Sequence, residues 1–160
     1  MTKRMIVAAL SLAGIFVALY LLLYKLGRIG TLSCSIGSCE TVNASRWATF
    51  LGLPVAAWGV AFYVVLFGVA LASTTEKYED SARMSGLLLG MTALGVLFSA
   101  WLTYLELFVI HAICQWCVVS AVIVTSCFIV ALAEFRQSAR NDPRASTTGH
   151  QPRSTRENAE

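Results

Sequence analysis

Polar and apolar positions along this chain separate into long blocks instead of alternating with a short period. Four stretches carry no Asp, Glu, Lys or Arg: Met5–Tyr24, Leu51–Ser73, Met84–Leu105 and Ala112–Ala133, of 20, 23, 22 and 22 residues. About 20 apolar residues rising ~1.5 Å each cross a hydrocarbon core of roughly 30 Å. Lipid offers the backbone no hydrogen-bond partner, so each stretch is expected to be an α-helix. The pattern predicts an all-α fold, an integral membrane four-helix bundle with spans at about 5–24, 51–73, 84–108 and 112–133. These spans make up a membrane domain over residues 1–135. Residues 136–160, rich in polar residues and nearly free of large apolar ones after Asn141, are expected to form a disordered cytoplasmic tail.

Composition agrees with the blocks. Apolar residues make up 57% and charged residues 13%, against roughly 45–50% and 25% in soluble domains. The first span is expected to stay as an anchor: its apolar run exceeds the usual signal-peptide length, and no small-x-small cleavage site closes it. Lys and Arg counts then set the orientation. With the N-terminus inside, Lys3, Arg4, Lys77, Arg83, Arg136, Arg140, Arg144, Arg153 and Arg156 lie inside, and Lys25, Arg28 and Arg46 outside. The bias predicts cytoplasmic termini, and it makes the net charge of +3 a topology signal and not a nucleic-acid footprint. No repeat, phosphate-binding loop, dinucleotide fingerprint or Ser-His-Asp pattern appears.

Between the first two spans, Lys25–Phe50 is long for a structureless connection, and such loops usually carry function. Asn43–Ala48 is expected to begin a short helix on the membrane surface, with Trp47 and Phe50 at the interface. Pro54 suits the first turn of the second span, where a missing N–H does no harm. In the third span Gly86, Gly90 and Gly95 read as close-packing positions, and Trp101 and Tyr104 as part of an aromatic belt. Glu106–His111 is expected to be a tight outer connection.

Four of the five cysteines fall in two close pairs, Cys34/Cys39 in the outer loop and Cys114/Cys117 at the start of the last span. Both pairs map to the face where disulfides persist. In Cys114-Gln115-Trp116-Cys117 the two thiols share one helix face, and the free N–H groups of a helix start favour a thiolate. Three readings of this constellation stand: electron exchange between the pairs in a thiol oxidoreductase, a soft-metal (zinc-like) thiolate site for binding or transport, or two inert structural disulfides. The first is preferred, because no further His or carboxylate cluster marks a transport path. Cys127, roughly 15 Å deeper along the helix, reads as a small buried hydrophobe. Glu106 and His111 flank the CxxC. A proton relay is one reading of them, and wet interfacial side chains are the plainer and preferred one.

The order Cys34-x4-Cys39, Ser45-Arg46-Trp47, Gly52-Leu53-Pro54, then Cys114-Gln115-Trp116-Cys117 resembles the vitamin K epoxide reductase family, especially its bacterial branch, over roughly residues 8–133. The other bacterial membrane disulfide generator carries its CxxC in the first outer loop, the reverse order. The resemblance implies a helix bundle around a quinone (ubiquinone or menaquinone), capped by the loop between the first two helices. It implies Cys34 and Cys39 as the shuttle pair, Cys114 as the residue exchanging with Cys39, Cys117 as the cysteine meeting the quinone, and Ser45 as a hydrogen-bonding group nearby. Trp58, Phe62, Leu97, Trp101 and Trp116 are expected to supply apolar walls for the ring. The vertebrate enzymes carry an Asn and a Tyr where Val55 and Ala121 stand here, so disulfide formation is expected in place of epoxide reduction. The expected partner is a separate thioredoxin-like (DsbA-type) protein on the outer face of a bacterial inner membrane.

Overall fold

A computed structural model describes residues 2–30, 33–35, 37–74 and 82–140. Four helices are long and apolar enough to cross a membrane: α1 (Thr2–Lys25), α3 (Val55–Ala72), α4 (Ala82–Leu105) and α5 (Gln115–Arg140). A short helix α2 (Cys39–Ala44) and a 3₁₀ turn (Arg46–Ala48) lie between α1 and α3. A π-helical turn (Glu106–Ile110) closes α4. The expected all-α membrane bundle is what the chain forms.

The boundaries depart from expectation for identifiable reasons. Gly27 ends α1 in a left-handed conformation (φ 70°). Its N–H reaches the Tyr24 carbonyl, and the Arg28 N–H reaches that of Leu23, the paired C-terminal closure that glycine favours. α3 begins four residues later than the charge-free run suggests. Thr49–Phe50 (β1) and Leu53–Pro54 (β2) pair antiparallel around Leu51 and Gly52, whose φ values are 53° and 80°. Two successive positive φ angles are what a tight two-residue hairpin requires. α5 continues past Ala133 to Arg140, because its first charged residue is not released to water: Glu134 is buried against Arg4. One turn further, Lys3 Nζ donates to Gln137 Oε1 at 2.6 Å. Residues 136–140 are therefore helical. The rest of the expected tail, like most of the charged turn expected between α3 and α4, lies outside the described residues.

α1 packs along both α3 and α5, and α4 packs along α5, while α3 and α4 meet over a shorter stretch. The core centres on Val7, Tyr63, Leu66, Leu88, Cys127 and Ala131. Cys127 is fully buried there, as a small apolar side chain would be. Phe16, Leu97, Phe108, Val122 and Ile129 face outward, as lipid-contacting side chains do in a membrane bundle. The end of the bundle at which α1 begins and α5 ends is closed by a buried polar clasp. Arg4 bonds Glu134 and the Ser73 carbonyl, and its Nη2 donates to Ser85 Oγ at 3.3 Å. Ser85 Oγ in turn donates to Glu134 Oε1 at 3.3 Å. The clasp joins α1, α4, α5 and the end of α3, and it leaves the looser α3–α4 seam to open at the other end.

Candidate active site

At that loop end, Ser33, Ser35, Gly37 and Ser38 are stitched onto the start of α5. Tyr20 OH accepts from the Ser33 N–H at 3.1 Å, and Trp116 Nε1 donates to the Ser33 carbonyl at 3.1 Å. Gln115 Oε1 accepts from the Ser35 N–H at 3.1 Å. Gly37 and Cys114 form an antiparallel bridge, and the Ser38 N–H donates to Ile113 O at 3.1 Å. Gly37 has φ 85°, and a Cβ there would collide with the Ile113 carbonyl oxygen. Only glycine accepts both that backbone angle and that approach.

The stitching collects the cysteines. Cys39 and Cys114 are buried in one cluster with Leu21 and Val42, and Cys34 and Cys117 pack against it. Cys34 and Cys39 are joined by a disulfide, with Cα atoms 6.4 Å apart. Cys114 and Cys117 are free thiols. Cys114 lies immediately before α5, and its pKa is lowered. The hydrogen bond with the Cys117 thiol is the main cause, against the opposing cost of burial, with the backbone N–H groups of Cys117 and Trp116 adding to the lowering. The N–H groups of the helix start, expected to favour a thiolate, thus contribute less than the neighbouring thiol does, and the Glu106 carboxylate works against them.

Beneath the cysteines, between α3 and α4, lies a cavity of about 370 Å³, within the usual range of small-molecule sites of roughly 300–1,000 Å³. Trp58, Phe62 and Phe98 give it aromatic walls, and Leu94, Leu102 and Val124 aliphatic ones. Cys117, Ser120 and Val124 line one side, spaced as one helix face requires. Gly95 makes room, since a Cβ there would stand 2.5 Å from Phe62 Cζ. Of the four paired cysteines, Cys117 alone lines the cavity among the described residues. Ser45 also lines it, with Oγ donating to the Val42 carbonyl at 2.7 Å, so its hydroxyl finishes α2 at the cavity rim. An apolar, ring-sized chamber with a thiol and a few polar groups at one end fits a quinone.

Three expected wall residues are elsewhere. Trp116 turns toward the loop instead of the cavity, with its ring edge-on to Tyr20 at 5.1 Å and its N–H on Ser33. Trp101 does not line this cavity: it is half exposed and lines an adjoining groove with Arg46 and Trp47, its ring edge-on to Phe98. Leu97 is 69% exposed. His111 is exposed and closes the π-helical turn in a left-handed conformation. The plainer reading of Glu106 does not hold. The side chain is 4% exposed, lines the cavity, and its Oε2 accepts the Cys114 N–H at 3.1 Å. Tyr63 and Asn43, not singled out in the sequence, also line the cavity. Tyr63 OH donates to the Ser120 carbonyl at 3.0 Å, and Asn43 Nδ2 to the Cys39 carbonyl at 3.0 Å.

A disulfide and a dithiol in one buried cluster, with one thiol on an apolar cavity within a membrane bundle, define a membrane thiol–disulfide oxidoreductase. The sequence model of the vitamin K epoxide reductase family matches residues 5–132, and the chain belongs to that family. Its members are oxidoreductases that use quinone-type electron carriers and generally work with thioredoxin-like partners.

Proposed function

We propose that this protein makes disulfides in the manner of the family's bacterial branch: it reoxidises a separate thioredoxin-like protein on the outer face of a bacterial inner membrane and passes the electrons to ubiquinone or menaquinone. The observation that carries this reading is the grading of the four cysteines, from the disulfide in the stitched loop to Cys117 on the cavity.

The partner's thiolate attacks the Cys34–Cys39 disulfide and leaves as a disulfide itself, so two electrons rest on the loop pair. Cys39, buried in the same cluster as Cys114, attacks Cys114 in the Cys114–Cys117 disulfide. The loop pair closes again, and the CxxC becomes a dithiol. Oxidised loop and reduced CxxC, the arrangement in the structure, is the state this exchange yields. A bound quinone supplies a two-electron, two-proton acceptor. The chain's contribution is to hold Cys117 against the cavity, keep water out with Phe62, Trp58 and Phe98, and move the electrons inward by thiol–disulfide exchange. Val55 lines the cavity without the amide that vertebrate enzymes place there, which favours disulfide formation over epoxide reduction. The soft-metal reading is less favoured: two of the four sulfurs are bonded to each other and could not join a four-thiolate site.

Quinone reduction by the purified protein, supplied with a reduced thioredoxin-like partner, tests the route. Cys117→Ser is expected to abolish it and Cys127→Ser to leave it nearly intact, since Cys127 lies in the core away from the cavity. Equal loss from both changes would remove the assignment. A membrane-impermeant maleimide should label reduced Cys34 from outside intact cells, and labelling from the cytoplasmic side alone would reverse the orientation.

A further inference from the structure

Glu106 is the one acidic side chain among the described residues that reaches the cavity, and the route above gives it no task. A carboxylate buried inside the end of a membrane bundle is costly to keep there without a use, and such residues usually mark a site. It opens the π-helical turn, a local insertion that re-aims side chains and is frequent at functional sites. Its Oε2 takes the Cys114 N–H at 3.1 Å, and it lines the same cavity as Cys117, one helical turn further on. No cation neutralises it among the described residues: Lys25, on the same cavity, donates to the Asn43 carbonyl. The other titratable groups that act on it are Cys114 and Cys117; Tyr63, also on the cavity, is bonded to Ser120.

We propose that Glu106 is a catalytic residue of this site, taking the proton from the Cys117 thiol and returning it to the reduced acceptor in the cavity. This rests on the function proposed above. Oxidation of the CxxC by a quinone breaks two S–H bonds, forms one S–S bond and two O–H bonds, and moves two electrons and two protons. Glu106 carries one of those protons, from Cys117 Sγ to its own carboxylate and then to a quinol oxygen. The Cys114 proton goes to water at the loop end, and the second quinol O–H is made with a proton from water. The placement suits the first transfer, because the carboxylate is held at the CxxC by the Cys114 N–H and shares the cavity with the Cys117 thiol.

The test is Glu106→Gln beside Glu106→Asp in the full chain. Gln keeps an oxygen for the Cys114 N–H and loses the titrating group. Partner-driven quinone reduction is expected to fall about 10²- to 10⁴-fold in kcat for Gln, the usual worth of a positioned acid–base group, with Asp falling less. The second readout needs no quinone. Redox-difference infrared spectra of the protein, poised with dithiol and disulfide reagents, should show a protonated-carboxyl band that changes as the CxxC is oxidised and is missing in Glu106→Gln. A Gln variant with wild-type kcat, or a band that is absent or persists in the variant, overturns the proposal. A lost rate without the band also overturns it, assigning Glu106 to support of the loop. Wild-type protein that reduces no quinone would overturn the function itself, while the infrared arm would still decide the role of Glu106.

Discussion

Gly37→Ala separates the docking of the loop from the chemistry of the cysteines. Gly37 sits at φ 85°, where a side chain costs about 1–2 kcal/mol. Its new Cβ would also collide with the Ile113 carbonyl, so the bridge to Cys114 must open. Opening it gives up the Ser38–Ile113 hydrogen bond, a net loss of about 1 kcal/mol. The sum, about 2–3 kcal/mol, lowers the ratio of docked to undocked loop by about 30- to 150-fold, at tenfold per 1.4 kcal/mol. Two measurements should then move in opposite directions. Exchange from a reduced partner to the CxxC, followed by rapid quenching and mass mapping, is expected to slow. Alkylation of Cys114, which is buried beneath the docked loop, is expected to quicken. Gly30→Ala is the matched control, since that glycine lies in the same loop with open space around it and no positive φ. Unchanged exchange together with unchanged alkylation in Gly37→Ala would refute the claim that the bridge couples the two pairs.

Two other predictions address the clasp and the thiolate. Glu134→Leu leaves the buried Arg4 without its carboxylate and is expected to cost about 3–5 kcal/mol in unfolding measurements in detergent, whereas Arg4→Leu/Glu134→Leu together should recover most of it; additive single-mutant losses would show that the pair does not act as a unit. In reduced protein the far-ultraviolet thiolate absorbance of Cys114 should rise below the ordinary thiol range near pH 8.5, because its pKa is lowered chiefly by the Cys117 thiol. Cys117→Ala removes that hydrogen bond, so the rise should move to higher pH. A titration midpoint unmoved by the substitution would contradict the assigned cause.

Much of the architecture was legible because membrane helices announce themselves by length and lack of charge. The four spans and the two cysteine pairs follow from positions in the chain alone. The boundaries were harder, since a charge stops a span only if it must reach water. Glu134 did not, and its partner Arg4 lies 130 residues away. The late start of α3 had a visible signal in Gly52, but Leu51 beside it had to adopt a positive φ for the hairpin to form. Trp101 and Trp116 were misplaced for one reason: an aromatic ring near the right depth can face the cavity, the loop or the lipid, and periodicity within one apolar helix does not distinguish them. On α3 the same ambiguity resolved the other way, and Trp58 and Phe62 do line the cavity.

Glu106 shows most clearly where sequence reasoning stops and geometry begins. A carboxylate just past an apolar run reads as an interfacial charge, because α-helical spacing would carry it out with the end of the helix. The π-helical turn breaks that spacing at Glu106 itself and keeps the chain from leaving the bundle until His111. The exposed group at the end of the turn is therefore the histidine, and the buried one is the acid. The same local insertion brings the Ala112 N–H to the Glu106 carbonyl and sets Ile113 and Cys114 against Gly37 and Ser38. One irregular turn thus fixes both the acid beside the CxxC and the edge on which the shuttle loop docks. A substitution that restores regular α-helix through Glu106–Ile110 would disturb both together, which a defect in either alone would not do.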